Sequence, residues 1–149
     1  MKIREIAPGE IEPLVQVWLR SVRATHQFLS EDDIRTLEPL VREQVLPKLE
    51  TWVLRTDADG PIGFMVLSGN SLEGLFIDPD HIGCGGGKLM LAHARKLKGP
   101  LIVDVNEQNP AALGFYLANG FEVSGRSPTD TAGRPFPLIH LREAAMREG

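Results

Sequence analysis

Apolar residues repeat with a helical period near the start of the chain and in short strand-like runs through its middle. Leu14, Val17, Trp18, Ser21, Val22 and Thr25 fall at i, i+3, i+4, i+7, i+8 and i+11, one face of a helix starting near Glu12. Pro13 suits the first turn of that helix, and the Trp18–Val22 stripe is expected in the core. Before it, residues 2–7 alternate as a first strand that Pro8-Gly9 ends. After it, His26-Gln27-Phe28-Leu29 interrupts the helix, and Ser30 with Asp33 three residues on is a capping pair. Pro39 and Pro47 predict two short helices over 31–49.

Three strands follow in close succession. Residues 51–56 and 62–67 are rich in β-formers and flank the turn Asp57-Ala58-Asp59-Gly60, so they pair as an antiparallel hairpin. Ser68-Gly69-Asn70-Ser71 turns the chain into a third strand over 72–77. A helix over about 86–98 stops at Gly99-Pro100, and the apolar run 101–105 is expected as a strand buried on both faces. Asn109-Pro110 provides an N-cap with proline behind it, opening a helix that runs to Asn119-Gly120. Residues 121–125 and 137–141 close the fold as strands, and the polar tail from Arg142 is expected to fray. The pattern is that of one α/β domain over residues 1–149, with no repeat or linker.

Composition narrows the function classes. A net charge of −4 makes a broad nucleic-acid footprint a poor expectation. No apolar run reaches the roughly 18 residues that span a bilayer, and Met1-Lys2-Ile3-Arg4-Glu5 is no signal-peptide core. Cys84, the single cysteine, suits a reducing compartment, so a cytoplasmic protein is expected.

The chemistry concentrates between residues 72 and 98. Strand, glycine loop (Gly83-Cys84-Gly85-Gly86-Gly87) and a helix opening on Lys88 together make an anion site. A helix N-terminus presents unpaired N–H groups and partial positive charge, and glycine lets the anion approach. A nucleoside-triphosphate P-loop is excluded because Ile82 replaces its first glycine and Leu89 its magnesium-binding hydroxyl. A dinucleotide fingerprint G-x-G-x-x-G is excluded because Lys88 or Met90 would occupy its third glycine, and three antiparallel strands come first.

With those excluded, the sequence resembles the GNAT superfamily of acetyl-CoA-dependent N-acetyltransferases. Ile82 to Gly87 align with the family's phosphate motif [QR]-x-x-G-x-[GA], Ile82 departing from the usual basic or amide residue. Independently, Asn109-Pro110-Ala111-Ala112-Leu113-Gly114-Phe115-Tyr116 followed by Gly120-Phe121 matches N-x-x-A-x-x-x-Y…GF. The stretches RSVRATHQFL, LFIDPDHIGCG and VNEQN are similar to the YjaB-type branch of small bacterial members.

The resemblance implies a mixed, mostly antiparallel sheet of about seven strands flanked by about four helices. It implies direct acetyl transfer to a primary amine: a protein or peptide lysine, an N-terminus, or a small amine. A non-catalytic coenzyme A sensor is the alternative. The backbone of Phe76 and Ile77 would pair with the pantetheine arm, and Gly83, Cys84, Gly85, Gly86, Gly87 and Lys88 would take the pyrophosphate. Asn109, Ala112 and Phe115 complete the cofactor contacts, with Tyr116 as general acid to the leaving thiolate. Glu73 is the candidate general base, with Glu107 or water as competitors. His26, Phe28 and Asn106 are assigned to the amine side, although His26 also reads as a structural histidine. No metal is implied. The expected partner is the amine substrate, not nucleic acid or membrane, for a monomer or homodimer.

Overall fold

The structure is a computed structural model that describes residues 1–56 and 60–143. The turn expected at Asp57, Ala58 and Asp59 and the last residues of the tail, 144–149, lie outside the described residues. The elements run β1 (Lys2–Glu5), α1 (Ile11–Thr25), α2 (Glu31–Leu40), β2 (Glu50–Thr56), β3 (Gly60–Ser68), β4 (Ser71–Ile77), α3 (Gly86–Lys98), β5 (Ile102–Asn106), α4 (Pro110–Ala118), β6 (Phe121–Ser127) and β7 (Leu138–Glu143). They form one seven-stranded sheet ordered β1-β2-β3-β4-β5-β7-β6. All neighbours pair antiparallel except β4 and β5.

Each face of the sheet carries its own core. On one side Leu14, Val17, Trp18 and Val22 of α1, with Ile34 of α2, pack on Val53, Phe64 and Val66. On the other, Met90, Leu91 and Ala94 of α3 and Tyr116 of α4 pack on Leu54, Met65, Leu72, Val103, Val105 and Leu141. The expected α1 stripe is in the core, with Trp18 4% exposed. Ser30 caps α2 as expected: its Oγ accepts from Asp33 N at 3.0 Å, and Asp33 Oδ2 accepts from Ser30 N at 2.9 Å.

Two expectations are corrected. Pro39 does not divide residues 31–49; it sits in the last turn of α2, and the helix continues into a π-helical turn, Val41–Val45. That turn is closed by Leu46 N donating to Val41 O at 3.0 Å, so the rod runs on past the proline. Nor is β5 buried on both faces. Val103 and Val105 are buried, but Ile102 is 46% exposed and Asp104 is exposed, because α1 and α2 cover only the β2–β4 half of their face.

No helix among the described residues is long and apolar enough to cross a membrane.

An ion pair, buried only on its carboxylate side, fixes the chain where β4 enters the glycine loop. Arg20 of α1 donates through Nε at 3.0 Å and through Nη2 to Asp78 Oδ2, and Asp80 N donates to Asp78 Oδ1 at 3.1 Å. Burial pushes the Asp78 carboxyl up, but Arg20 and the Asp80 N–H outweigh it and hold it below its ordinary value. Because the folded value is depressed, the stabilisation is present above the unfolded carboxyl's pKa and lost as pH falls through the folded one. Arg20→Ala is expected to lower stability by about 1–2 kcal/mol at neutral pH, the exposed guanidinium keeping the figure modest. Urea denaturation of both proteins across acid pH checks this, the two curves converging once Asp78 is protonated.

Candidate active site

The sheet opens where its one parallel pair parts. β4 and β5 pair only through Ser71 with Ile102 and Leu72 with Val103. Past those residues β4 carries a bulge: Leu72 pairs with Leu67 and Gly74 with Val66, leaving Glu73 between them as the extra residue. The bulge shifts the alternation, so Leu72, Leu75 and Ile77 face α3 while Phe76 faces α1. Between the diverging strands lies a cleft of about 610 Å³, the size of a small-molecule site. Along it the β4 backbone from Glu73 to Ile77 has no β5 partner.

One end of the cleft is the glycine loop. Gly83 and Gly85 have φ of +87° and +84°, which other residues adopt at a cost, and a Cβ on either meets nothing within 4 Å. Gly86 and Gly87 serve packing instead. A Cβ on Gly86 would stand 2.6 Å from Leu54 Cδ2, and one on Gly87 2.8 Å from Phe115 Cζ. Gly85 occupies the N-cap of α3 with no side chain to cap it, and the first intrahelical bond is Leu89 N to Gly85 O. The N–H groups of Gly86, Gly87 and Lys88 therefore have no partner within the helix, and no acidic residue lies in its first turn. Open space, unpaired donors and Lys88 on the rim fit a pyrophosphate. Ile82, 55% exposed, stands at the mouth and adds no polar contact.

α4 closes the opposite wall. Asn109 is buried, and its Oδ1 accepts from Ala112 N at 3.2 Å, so the helix starts where proline allows. Tyr116 is 6% exposed, edge-on to Phe115 and Phe121 at centroid distances of 5.3 Å each. Burial pushes its hydroxyl well above the usual tyrosine range, so it stays protonated at working pH.

On the α1 side stands His26, whose tautomer follows from its partners. The single Thr25 hydroxyl proton goes to Ser21 O at 2.8 Å, so His26 Nδ1 donates to Thr25 Oγ1, also at 2.8 Å. Nε2 is then the acceptor, and Asn109 Nδ2 approaches it at 3.5 Å. Burial lowers the imidazole pKa, so the ring is neutral at neutral pH.

The two candidate bases part company. Glu73 lines the cleft. Glu107 lies outside it, bound by Arg126 at 2.9 and 2.8 Å, a contact that holds its carboxyl below the ordinary range.

The Acetyltransferase (GNAT) domain family matches residues 47–123. This chain belongs to the GNAT acetyltransferase family. It is 48% identical over 141 residues to the peptidyl-lysine N-acetyltransferase YjaB of Escherichia coli K12, covering 95% of each chain. The solution structure of apo YjaB from Escherichia coli superposes with a TM-score of 0.89 at 47% identity, over 96% of this chain and 97% of that one. In fold it is also similar to the PaiA N-acetyltransferase of Thermoplasma acidophilum in complex with coenzyme A (TM-score 0.79, 22% identity, 96% and 98% covered).

A GNAT chain is an acyltransferase, and members of the family use acetyl-CoA. The cleft gathers fourteen of the sixteen residues assigned from sequence, and two fall outside it. Cys84 is exposed and does not line the cleft. Phe28 stands one ring back, tilted against His26 at a centroid distance of 5.4 Å. Sequence reading missed Ser21, Thr25 and Asp104, which also line the cleft. The helical stripe put Ser21 and Thr25 on the correct face, but nothing in the sequence marked that face as reaching the site.

Proposed function

We propose that this GNAT chain transfers the acetyl group of acetyl-CoA to lysine side chains of peptides or proteins. The observation that carries the reading is the parted β4–β5 pair, which sets the β4 backbone, the glycine loop, Glu73 and Tyr116 around one cleft. The lysine acceptor follows the function named for YjaB, at 48% identity. Acetyl-CoA, when bound, supplies the activated thioester.

The N–H groups of Gly86, Gly87 and Lys88 hold the pyrophosphate, with Asn109, Ala112 and Phe115 along α4 supporting the same ligand. The unpaired β4 backbone at Phe76 and Ile77 accepts the pantetheine arm as an added strand and turns a backbone N–H toward the thioester carbonyl. Glu73 takes the proton of the incoming ammonium, directly or through water. Asn106 and neutral His26 face the amine side. Tyr116, protonated in its apolar site, donates to the departing thiolate.

Mass spectrometry of lysine peptides incubated with the protein and acetyl-CoA is the test. One acetyl group per modified lysine is expected, with Glu73→Gln lowering kcat/KM by about 100-fold. Thermal stabilisation by coenzyme A with no acetylated product from any amine would instead identify a non-catalytic sensor.

A further inference from the structure

A second hydrogen-bonded line reaches the cleft from the half of the sheet that α1 and α2 leave open. Along β5, Asp104 and Asn106 alternate with the buried Val103 and Val105, so they face the α1 side. Asp104 pairs in register with His140 of β7, and His140 with Gly125 of β6. His140 Nδ1 donates to Asp104 Oδ1 at 2.6 Å, and Ser127 Oγ is hydrogen-bonded to His140 Nε2 at 2.6 Å. The order serine, histidine, aspartate matches that of a nucleophilic triad, but its orientation toward the cleft is reversed. Asp104 lines the cleft, whereas Ser127 and His140 do not. The line delivers a carboxylate, not an activated hydroxyl.

That carboxylate is placed to meet a cation. Its Oδ1 is engaged by His140, its side chain is 49% exposed, and Oδ2 remains for another donor. Arg142, two residues along β7 from His140, is bound to Glu122 at 3.0 Å. Glu73 lines the same cleft, and Phe28 bridges His26 and Phe136 at 5.4 and 6.0 Å, an apolar wall from the end of α1 to the segment before β7. Carboxylates beside an aromatic wall suit an ammonium on an alkyl stem.

We propose that Asp104 receives the positively charged end of the acceptor, with His140 and Ser127 as positioning residues that fix its carboxylate. The inference rests on the acetyl-transfer reading and names the group that makes the acceptor site select a cationic side chain.

Fluorescence anisotropy on the full chain with coenzyme A present tests it, comparing a labelled lysine peptide with its acetyl-lysine counterpart. The lysine peptide is expected to bind about tenfold more tightly, and Asp104→Asn to abolish that preference. His140→Ala should weaken it, and His140→Asn, whose amide N–H can still reach Asp104, should restore it, which a merely structural role of the ring would not do. Equal binding of the two peptides by the unsubstituted protein, or a preference that survives Asp104→Asn, overturns the assignment. A preference that depends on Asp104 supports it even if acetylated product is absent, a result that would overturn only the acetyl-transfer reading.

Discussion

Tyr116→Phe is expected to lower kcat by at least about tenfold while leaving affinity for acetyl-CoA within about twofold. The substitution removes one oxygen from a ring packed between Phe115 and Phe121, so the shape of the α4 wall survives. Lost with it is the only donor that this side chain can offer a departing thiolate. Because burial holds the hydroxyl protonated, the loss should be constant across the neutral range and show no new titration. Single-turnover kinetics, with thiol release followed against pH, provide the measurement. Turnover equal to the unsubstituted protein would remove Tyr116 as the acid.

The second large effect separates anion binding from folding. Gly85→Asp is expected to weaken acetyl-CoA binding by about 100-fold or more, since a carboxylate would lie against the pyrophosphate. The fold should tolerate it. Aspartate is among the residues that enter the left-handed region most readily and is a favoured N-cap, and a Cβ at this position meets nothing within 4 Å. The thermal midpoint should therefore shift by only a few degrees, in line with a backbone cost of about 1 kcal/mol. Isothermal titration calorimetry with acetyl-CoA, beside a thermal melt, distinguishes this from misfolding. Affinity unchanged by the added charge would place the pyrophosphate elsewhere.

Much of the site is legible from sequence because its cofactor side depends on backbone chemistry, which leaves local marks. Glycines at a helix start and an asparagine-proline cap can be read without knowing the fold. The β2-β3-β4 meander was legible for a related reason, the turns between those strands being short. On the amine side His26 and Asn106 were read from sequence, but the proposed Asp104 line was not. Asp104, Ser127 and His140 belong to three strands, and only the β5-β7-β6 order brings them into line. Pro39 misled because proline's missing donor was treated as a break, whereas the helix runs through it into a π-helical turn. The apolar run 101–105 misled in another way. Isoleucine and valine also suit a half-covered strand, and composition cannot reveal which layer is absent.

The bulge at Glu73 ties a carboxylate's position to a count of residues. Were the same residues to alternate strictly, with no bulge, Leu72, Gly74 and Phe76 would share one face, and Leu75 and Ile77 would turn from the α3 core toward α1. Deleting Glu73 would leave both cores in place, because Leu72 and Gly74 would then alternate as neighbours, whereas losing a paired residue of β4 would turn part of the strand to the wrong layer. The candidate base thus occupies a position on β4 that neither hydrophobic layer counts, so its identity can change without cost to either core.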